Sequence, residues 1–282
     1  MRMKPSSKQP RWQRRGMLAT LAALLTACLP IPSQGNRFMS QQYRAEDFFR
    51  GHYLEMAKAI EAGDMARLKQ LAQGQDLSLK GEQDMDLLWF AILREQFDAI
   101  SALIALGVNP DAQIAQGLGS ALEAAFQKQN DTRFLRAMLD GGLDPNHRYP
   151  QRKLMLQRGV AAGLAHVQLL LARGTRINDQ DSIGANALYE AISRIKPDIA
   201  AYLIEQGADI HAPTVNGVTP AWSIHESIEE IRPGQPVRAQ FEQLRERLIR
   251  QGETWPPLAP AQVRVQMQAR GDKVVMPKNP AR

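Results

Sequence analysis

Five histidines, one cysteine and the serine of a glycine-rich stretch are where this chain of 282 residues could carry chemistry. A zinc site on a helix places two histidines four residues apart on one face, with a third ligand close by. His52, His147, His166, His211 and His225 offer no such pair. His225-Glu226 opens like a metalloprotease motif, but the position that would close it is Glu229. A nucleophile elbow needs G-x-S-x-G, which sets the serine on a strained strand-to-helix turn. Gly117-Leu118-Gly119-Ser120-Ala121 has the wrong order, and Ser120 reads as a helix N-cap. The same stretch lacks the third glycine of a dinucleotide loop, and no phosphate-cradling G-x-x-x-x-G-K-[ST] occurs. Glu229-Glu230 reads as a solvated helix face, and Arg270-Gly271-Asp272 as coincidence. Nothing pairs a nucleophile with a base. The chain is therefore expected not to be an enzyme, with no metal, no cofactor and no small-molecule substrate.

Charge points the same way. The formal net charge is +6. Six bases and no acid fall in residues 1–27, and without them 29 bases face 29 acids. A basic balance that vanishes with a removable leader gives no reason to expect nucleic acid. Met17 to Ala27 is an uncharged apolar run of 11 behind that basic segment. A membrane-spanning helix needs about 20 apolar residues, whereas a short run after basic residues is the pattern of a secretory signal. The run closes Leu25-Thr26-Ala27-Cys28, which resembles the bacterial lipoprotein box. That resemblance implies cleavage before Cys28, lipidation of its thiol and acylation of the new amino group. Cys28 is the only cysteine, so no other thiol stands unpaired in an oxidising compartment. Two or more acyl chains anchor stably where one binds only marginally. Leu29 is not the aspartate of an inner-membrane retention signal, so the resemblance favours the inner leaflet of a Gram-negative outer membrane. Arg14-Arg15 leaves general and twin-arginine export both open. Residues 28–46 read as a flexible tether.

The elements that follow repeat. Helix-closing glycines fall at Gly74, Gly107, Gly142, Gly174 and Gly207, spaced 33, 35, 32 and 33 apart. Each follows apolar residues such as Leu103-Ile104, Met138-Leu139 or Leu203-Ile204. A helix packs its apolar stripe inward and stops on a residue that tolerates positive φ. Leu248-Ile249 before Gly252 marks a sixth copy, 45 residues on, with Arg232-Pro233-Gly234-Gln235-Pro236 as the loop of an insertion.

This period, with Gly184-Ala185-Asn186-Ala187-Leu188-Tyr189-Glu190-Ala191, Leu203-Ile204-Glu205-Gln206-Gly207-Ala208-Asp209-Ile210-His211 and Gly217-Val218-Thr219-Pro220-Ala221-Trp222, resembles ankyrin repeats. The resemblance covers roughly residues 50–252 and implies an all-α solenoid of about six degenerate helix-turn-helix units with short hairpin loops. Complete T-P-L-H occurs nowhere. Its histidine slot holds Trp89, Glu123, Gln157, Tyr189 and Trp222, and Glu95, Asn130 and Ile195 replace turn glycines. Units that cannot bury their apolar faces alone must stack, with capped ends. The expected layout is a leader over 1–27, a tether over 28–46, the repeats over 47–252 and a Pro-rich, then basic, disordered tail over 253–282. The helix around 237–250 is expected to be the polar terminal cap.

Such solenoids bind on loop tips and inner helices. Two features stand out. The connection from Leu143 to Lys153 brings together His147, Arg148, Tyr149 and Arg152, residue types fit for a binding hot spot and equally for a long loop kept soluble by charge. Trp89, Tyr189 and Trp222 share one repeat slot. They read as a ladder of contacts for a protein or, in the favoured reading, as rings between helices whose N–H or O–H meets a loop carbonyl. The expected partner is another protein, either a secreted effector or a resident envelope protein, with the membrane reached through the N-terminal lipid. Bacterial periplasmic ankyrin proteins include immunity factors that occlude toxic effectors such as lipases. The resemblance makes that role a candidate beside an envelope scaffold.

Overall fold

The computed structural model describes residues 43–112, 119–127, 130–148 and 154–276. The leader, Cys28, the tether as far as residue 42, Tyr149 and Arg152 lie outside the described residues.

Helices come in consecutive pairs. After a single turn, α1 (Ala45–Phe48), the pairs are α2 (Gly51–Ala62) with α3 (Met65–Leu71), α4 (Leu87–Leu93) with α5 (Phe97–Ala105), α6 (Ala121–Gln127) with α7 (Arg133–Asp140), α8 (Met155–Ala162) with α9 (Leu164–Ala172), α10 (Ala187–Ser193) with α11 (Pro197–Glu205), and α12 (Pro220–Glu230) with α13 (Pro236–Arg250). A last helix, α14 (Pro260–Arg270), follows. The first members of the pairs pack on one another in order, and among the second members α3 packs on α5, α5 on α7, α9 on α11 and α11 on α13. The architecture is therefore a two-layer solenoid. Its apolar stripes merge into one core running from Ala45 through Leu103, Leu135, Leu170 and Leu203 to Leu248. Stacking is what buries these faces, since an isolated pair would leave one side wet.

Local chemistry explains why the pairs recur. Gly74, Gly107, Gly142, Gly174, Gly207 and Gly252 all stand at positive φ, so each closing glycine supplies the left-handed residue that ends the second helix of a pair. Side chains cap the first helices. Asp86 accepts from the Trp89 N–H at 2.7 Å, Ser120 from Glu123 at 3.1 Å, Asn186 from Tyr189 at 2.8 Å and Thr219 from Trp222 at 3.1 Å. In the fourth copy the cap position is Leu154, which has no acceptor, and the Gln157 side chain accepts from the Leu154 N–H instead, at 3.2 Å. The inter-helix turns keep their left-handed backbone even without glycine: Glu95, Asn130 and Ile195 stand at φ 52°, 59° and 55°. The fold is an ankyrin-repeat solenoid.

Three boundaries differ from the sequence reading. Packing starts inside the expected tether, because Ala45 is fully buried. The extra residues of the sixth copy lengthen its helices, to 11 residues in α12 and 15 in α13, more than they lengthen a loop. The expected disordered tail contains α14, which buries Val263 and Met267 and stands on the sixth hairpin loop. There the Arg264 guanidinium donates to the Asn216 carbonyl at 2.9 Å, and a Cβ on Gly217 would meet the Pro260 carbonyl at 2.6 Å. Two apolar residues one helical turn apart are enough to dock this helix, but too few to reveal it among the prolines and charges of residues 253–282.

Candidate partner-binding surface

The N-caps fix where the slot residues go. Trp89, three residues after Asp86, points into the core and is 1% exposed, so it cannot take part in a surface ladder. This corrects its candidacy as a contact residue: α4 reads Leu-Leu-Trp-Phe-Ala-Ile-Leu, apolar on every side, and is buried from Leu87 to Ala91. The ring packs between helices, yet its Nε1–H has no acceptor, unlike the expected bond to a loop carbonyl. Tyr189 and Trp222 are half-buried. The Trp222 ring meets His225 edge-on with centroids 5.1 Å apart, and His225 meets Trp255 at 5.9 Å. Trp222 Nε1 also lacks an acceptor. Two slots do take over a histidine's polar work. Glu123 accepts from the Ser120 N–H at 3.0 Å while Gln157 accepts from Leu154, and each reaches the next copy. Glu123 pairs with Arg158 at 3.2 Å, and Gln157 donates to Asp181 at 3.0 Å.

The described part of the 143–153 connection is tied down. Leu143 is buried, and Arg148 forms an antiparallel bridge with Leu154. His147 Nε2 lies 3.5 Å from Asp111 on the preceding hairpin. Arg148 pairs with Asp179 on the following one at 3.1 Å, and Asp179 also holds Arg176 at 2.9 Å. The hydrogen bonds from these guanidinium groups, Arg176 first, hold the Asp179 carboxyl below its ordinary range. Asn146 and Asn178 each accept an N–H from the next copy, from Arg176 at 2.9 Å and from Asp209 at 2.8 Å. In the fifth copy that slot is His211, which pairs with Glu253 at 3.1 Å. The described loop residues from Asp111 to Glu253 are thus joined copy to copy by polar contacts.

The row ends in an apolar corner that sequence reading missed. The Val215 N–H donates to the Ile183 carbonyl, and the Val275 N–H to the Val215 carbonyl, both at 2.8 Å. The extended residues after α14 are therefore the last rung of the loop row. Between the rungs is a cavity of about 330 Å³ lined by residues including Ile183, Tyr189, Val215, Val218, Lys273 and Val275. The apolar run Val274-Val275-Met276 after Lys273 was the available signal, hidden by the expectation of disorder.

Two buried titratable groups lie elsewhere. His166 is fully buried, and desolvation lowers its pKa despite the nearby Ala125 carbonyl, 3.3 Å from Nε2. Burial likewise raises Asp86, against the Trp89 N–H bond that lowers it. Among the described residues no three histidine, cysteine or carboxylate side chains could hold a metal ion. No described helix is long and apolar enough to cross a membrane.

No family model matches the chain. Protein PhlB of Serratia liquefaciens is 32% identical over 136 residues, 48% of this chain and 58% of PhlB. The E3 ubiquitin-protein ligase KEG of Arabidopsis thaliana is 34% identical over 104 residues, 36% of this chain and 6% of KEG. The chain thus matches little more than half of PhlB and a small fraction of KEG. Among solved structures, the ankyrin repeat domain of Bcl-3 aligns with 24% identity and a TM-score of 0.48, over 60% of this chain and 78% of that one. A chain of the complex between a Bdellovibrio bacteriovorus predatory endopeptidase and an immunity protein aligns with 20% identity and a TM-score of 0.44, over 67% and 97%. The ankyrin repeat protein EF0377 aligns with 21% identity and a TM-score of 0.45, over 67% and 96%.

Proposed function

We propose that this chain is a protein-binding module held in the periplasm by a lipid on Cys28, at the inner leaflet of the outer membrane, and that it acts as an immunity protein by occluding a toxic secreted effector. The observation that carries the binding part is the row of hairpin tips. Asp111 with His147, Arg148 with Asp179, Gln157 with Asp181, and Ile183 with Val215 tie the described loop residues of successive copies together. A surface ordered before binding loses less conformational freedom when a partner docks, so more of the contact energy becomes affinity. His147 and Arg148 belong to those contacts and Tyr189 lines the cavity beside Ile183 and Val215, while Tyr149 and Arg152 belong to the same connection as His147 and Trp222 shares the repeat slot of Tyr189. Cys28 after the apolar run supports the anchor, which would hold an inhibitor where an incoming envelope toxin acts.

The test is capture from detergent-solubilised envelope with the chain tagged at its C-terminus, alongside Cys28→Ala. Mass spectrometry reads both partner and N-terminus. One stoichiometric effector whose activity the chain inhibits is the expected result, with acyl groups on residue 28. Recovery of resident envelope proteins alone, without inhibition, would replace the immunity role by scaffolding. An unmodified Cys28 in a cytoplasmic protein would remove the anchor and the location.

A further inference from the structure

Of the nine large apolar residues exposed among the described ones, Ile183 and Val275 line the 330 Å³ cavity, and Met276 follows Val275 in the chain. Scattered apolar residues are ordinary on a surface, but a cluster rimming a concavity is a contact site. The walls are Ile183, Val215, Val218, Val275 and the Tyr189 ring, and none of the lining residues is acidic. Two cations stand at this corner, and neither has a carboxylate partner among the described residues. Lys273 is exposed on the cavity rim. Arg264 is 8% exposed and spends one N–H on the Asn216 carbonyl, beside the same wall. Elsewhere along the row the arginines Arg148, Arg158 and Arg176 are all paired with acids. The backbone adds continuity, because single hydrogen bonds join the turn residues Ile183 and Val215 and then Val215 and Val275.

We propose that this corner docks a segment of the partner that lays an aliphatic side chain into the cavity and an acidic side chain against Lys273. The apolar walls fix the first residue type, and the cations without a carboxylate partner among the described residues fix the second. This rests on the reading that the chain binds a protein, and it names the part of that protein which touches the sixth copy. Its failure and the failure of that reading are separable, because the corner is tested without the partner.

The full chain, labelled at isoleucine and valine methyl groups, is titrated with a short blocked peptide alternating leucine with glutamate. A second titration uses its leucine–lysine counterpart. The methyl resonances of Ile183, Val215, Val218 and Val275 are expected to move with the acidic peptide and not with the basic one. Lys273→Glu is expected to weaken the acidic peptide about tenfold, as loss of one charged contact does. Lys273 is exposed, so the variant keeps its fold, which an unchanged amide spectrum verifies. Methyl groups that stay still, equal response to both peptides, or an unchanged affinity in Lys273→Glu would overturn the proposal. Capture of an effector despite that result would leave the immunity reading intact.

Discussion

At the scale of single residues, the chain carries strain that its fold does not need. Ile195 is β-branched, stands at φ 55° and is 55% exposed. A left-handed conformation crowds its Cβ against the backbone at a cost of about 1–2 kcal/mol, and exposure leaves little burial to offset that. Ile195→Gly relieves the crowding, though glycine gains freedom in the unfolded chain. The net expectation is a stabilisation of about 0.5–1 kcal/mol, read from the midpoint of urea unfolding. A lower midpoint would mean that the isoleucine makes a contact worth more than its strain. His166 makes a second case. Burial lowers its folded pKa below the ordinary 6.5, so the unfolded chain takes up the proton first. Stability from this group is therefore complete above the unfolded pKa and is lost as pH falls through it toward the lower folded value. Between pH 7.5 and pH 5, His166→Gln should lose less stability than the parent, since the difference between the two proteins isolates this proton from the carboxylates. Equal losses would show that folding does not change proton uptake at His166 over that range. Asp86 is the opposite sign: burial raises its pKa, while its carboxylate caps α4. Asp86→Asn keeps the cap without a buried charge and should match or exceed the parent at pH 7, whereas Asp86→Ala should cost about 1–2 kcal/mol. Thermal unfolding of the pair decides it, and equal losses in both would mean that the charge itself is what α4 requires.

At the scale of elements, the neighbour-to-neighbour staples decide whether the stack holds. The Lys196 ammonium donates to the Val160 and Ala161 carbonyls, at 2.9 and 3.0 Å, satisfying the last turn of α8 from the following pair. Lys196→Met keeps the stem and removes the donors, so it should cost about 1–2 kcal/mol and raise hydrogen exchange at the end of α8. Exchange unchanged there would mean that water replaces the lysine without loss. Docking of α14 is tested by Gly217→Ala, which puts a Cβ against Pro260 and Arg264 at a residue with φ 81°. That variant should free α14 to limited proteolysis while the earlier pairs stay protected. Much of this scale was legible in the sequence, because period and polarity follow directly from helix geometry. The closing glycines mark the end of each pair, and Asp86, Ser120, Asn186 and Thr219 mark the beginning. What stayed hidden depends on tertiary contact. Trp89 occupies a slot that holds Glu123 and Gln157 in the next two copies, yet its ring is covered because its own helix is apolar on all sides. Arg264 reads as one more charge in a basic tail, and only the fold shows it reaching back 48 residues to Asn216.

At the scale of the whole molecule, a solenoid is as cooperative as its weakest junction, because each pair touches only its neighbours. In the second layer that junction is between α7 and α9, which make almost no direct contact along their lengths. A few links cross there. The Asn130 N–H reaches the Ala162 carbonyl at 3.4 Å, His166 reaches Ala125, and Arg173 meets Asp140 at 2.6 Å. The first layer stays continuous, since α6 packs on α8. Removing Arg173 and Asp140 together, as Arg173→Ala with Asp140→Ala, takes away a half-exposed pair that contributes at most about 1 kcal/mol by itself. At a junction with few other links, that loss should fall on coupling between the halves more than on total stability. Native-state hydrogen exchange is the suitable probe, since it reads opening free energy separately for α4–α5 and α10–α11. The parent should show the two halves opening with different free energies, and the double variant should widen the gap. A single shared free energy in both proteins would mean that the continuous first layer alone makes the solenoid one unit. A partner laid along the hairpin tips from His147 to Lys273 would touch both halves, so binding should also narrow the gap, a readout independent of any toxin's activity.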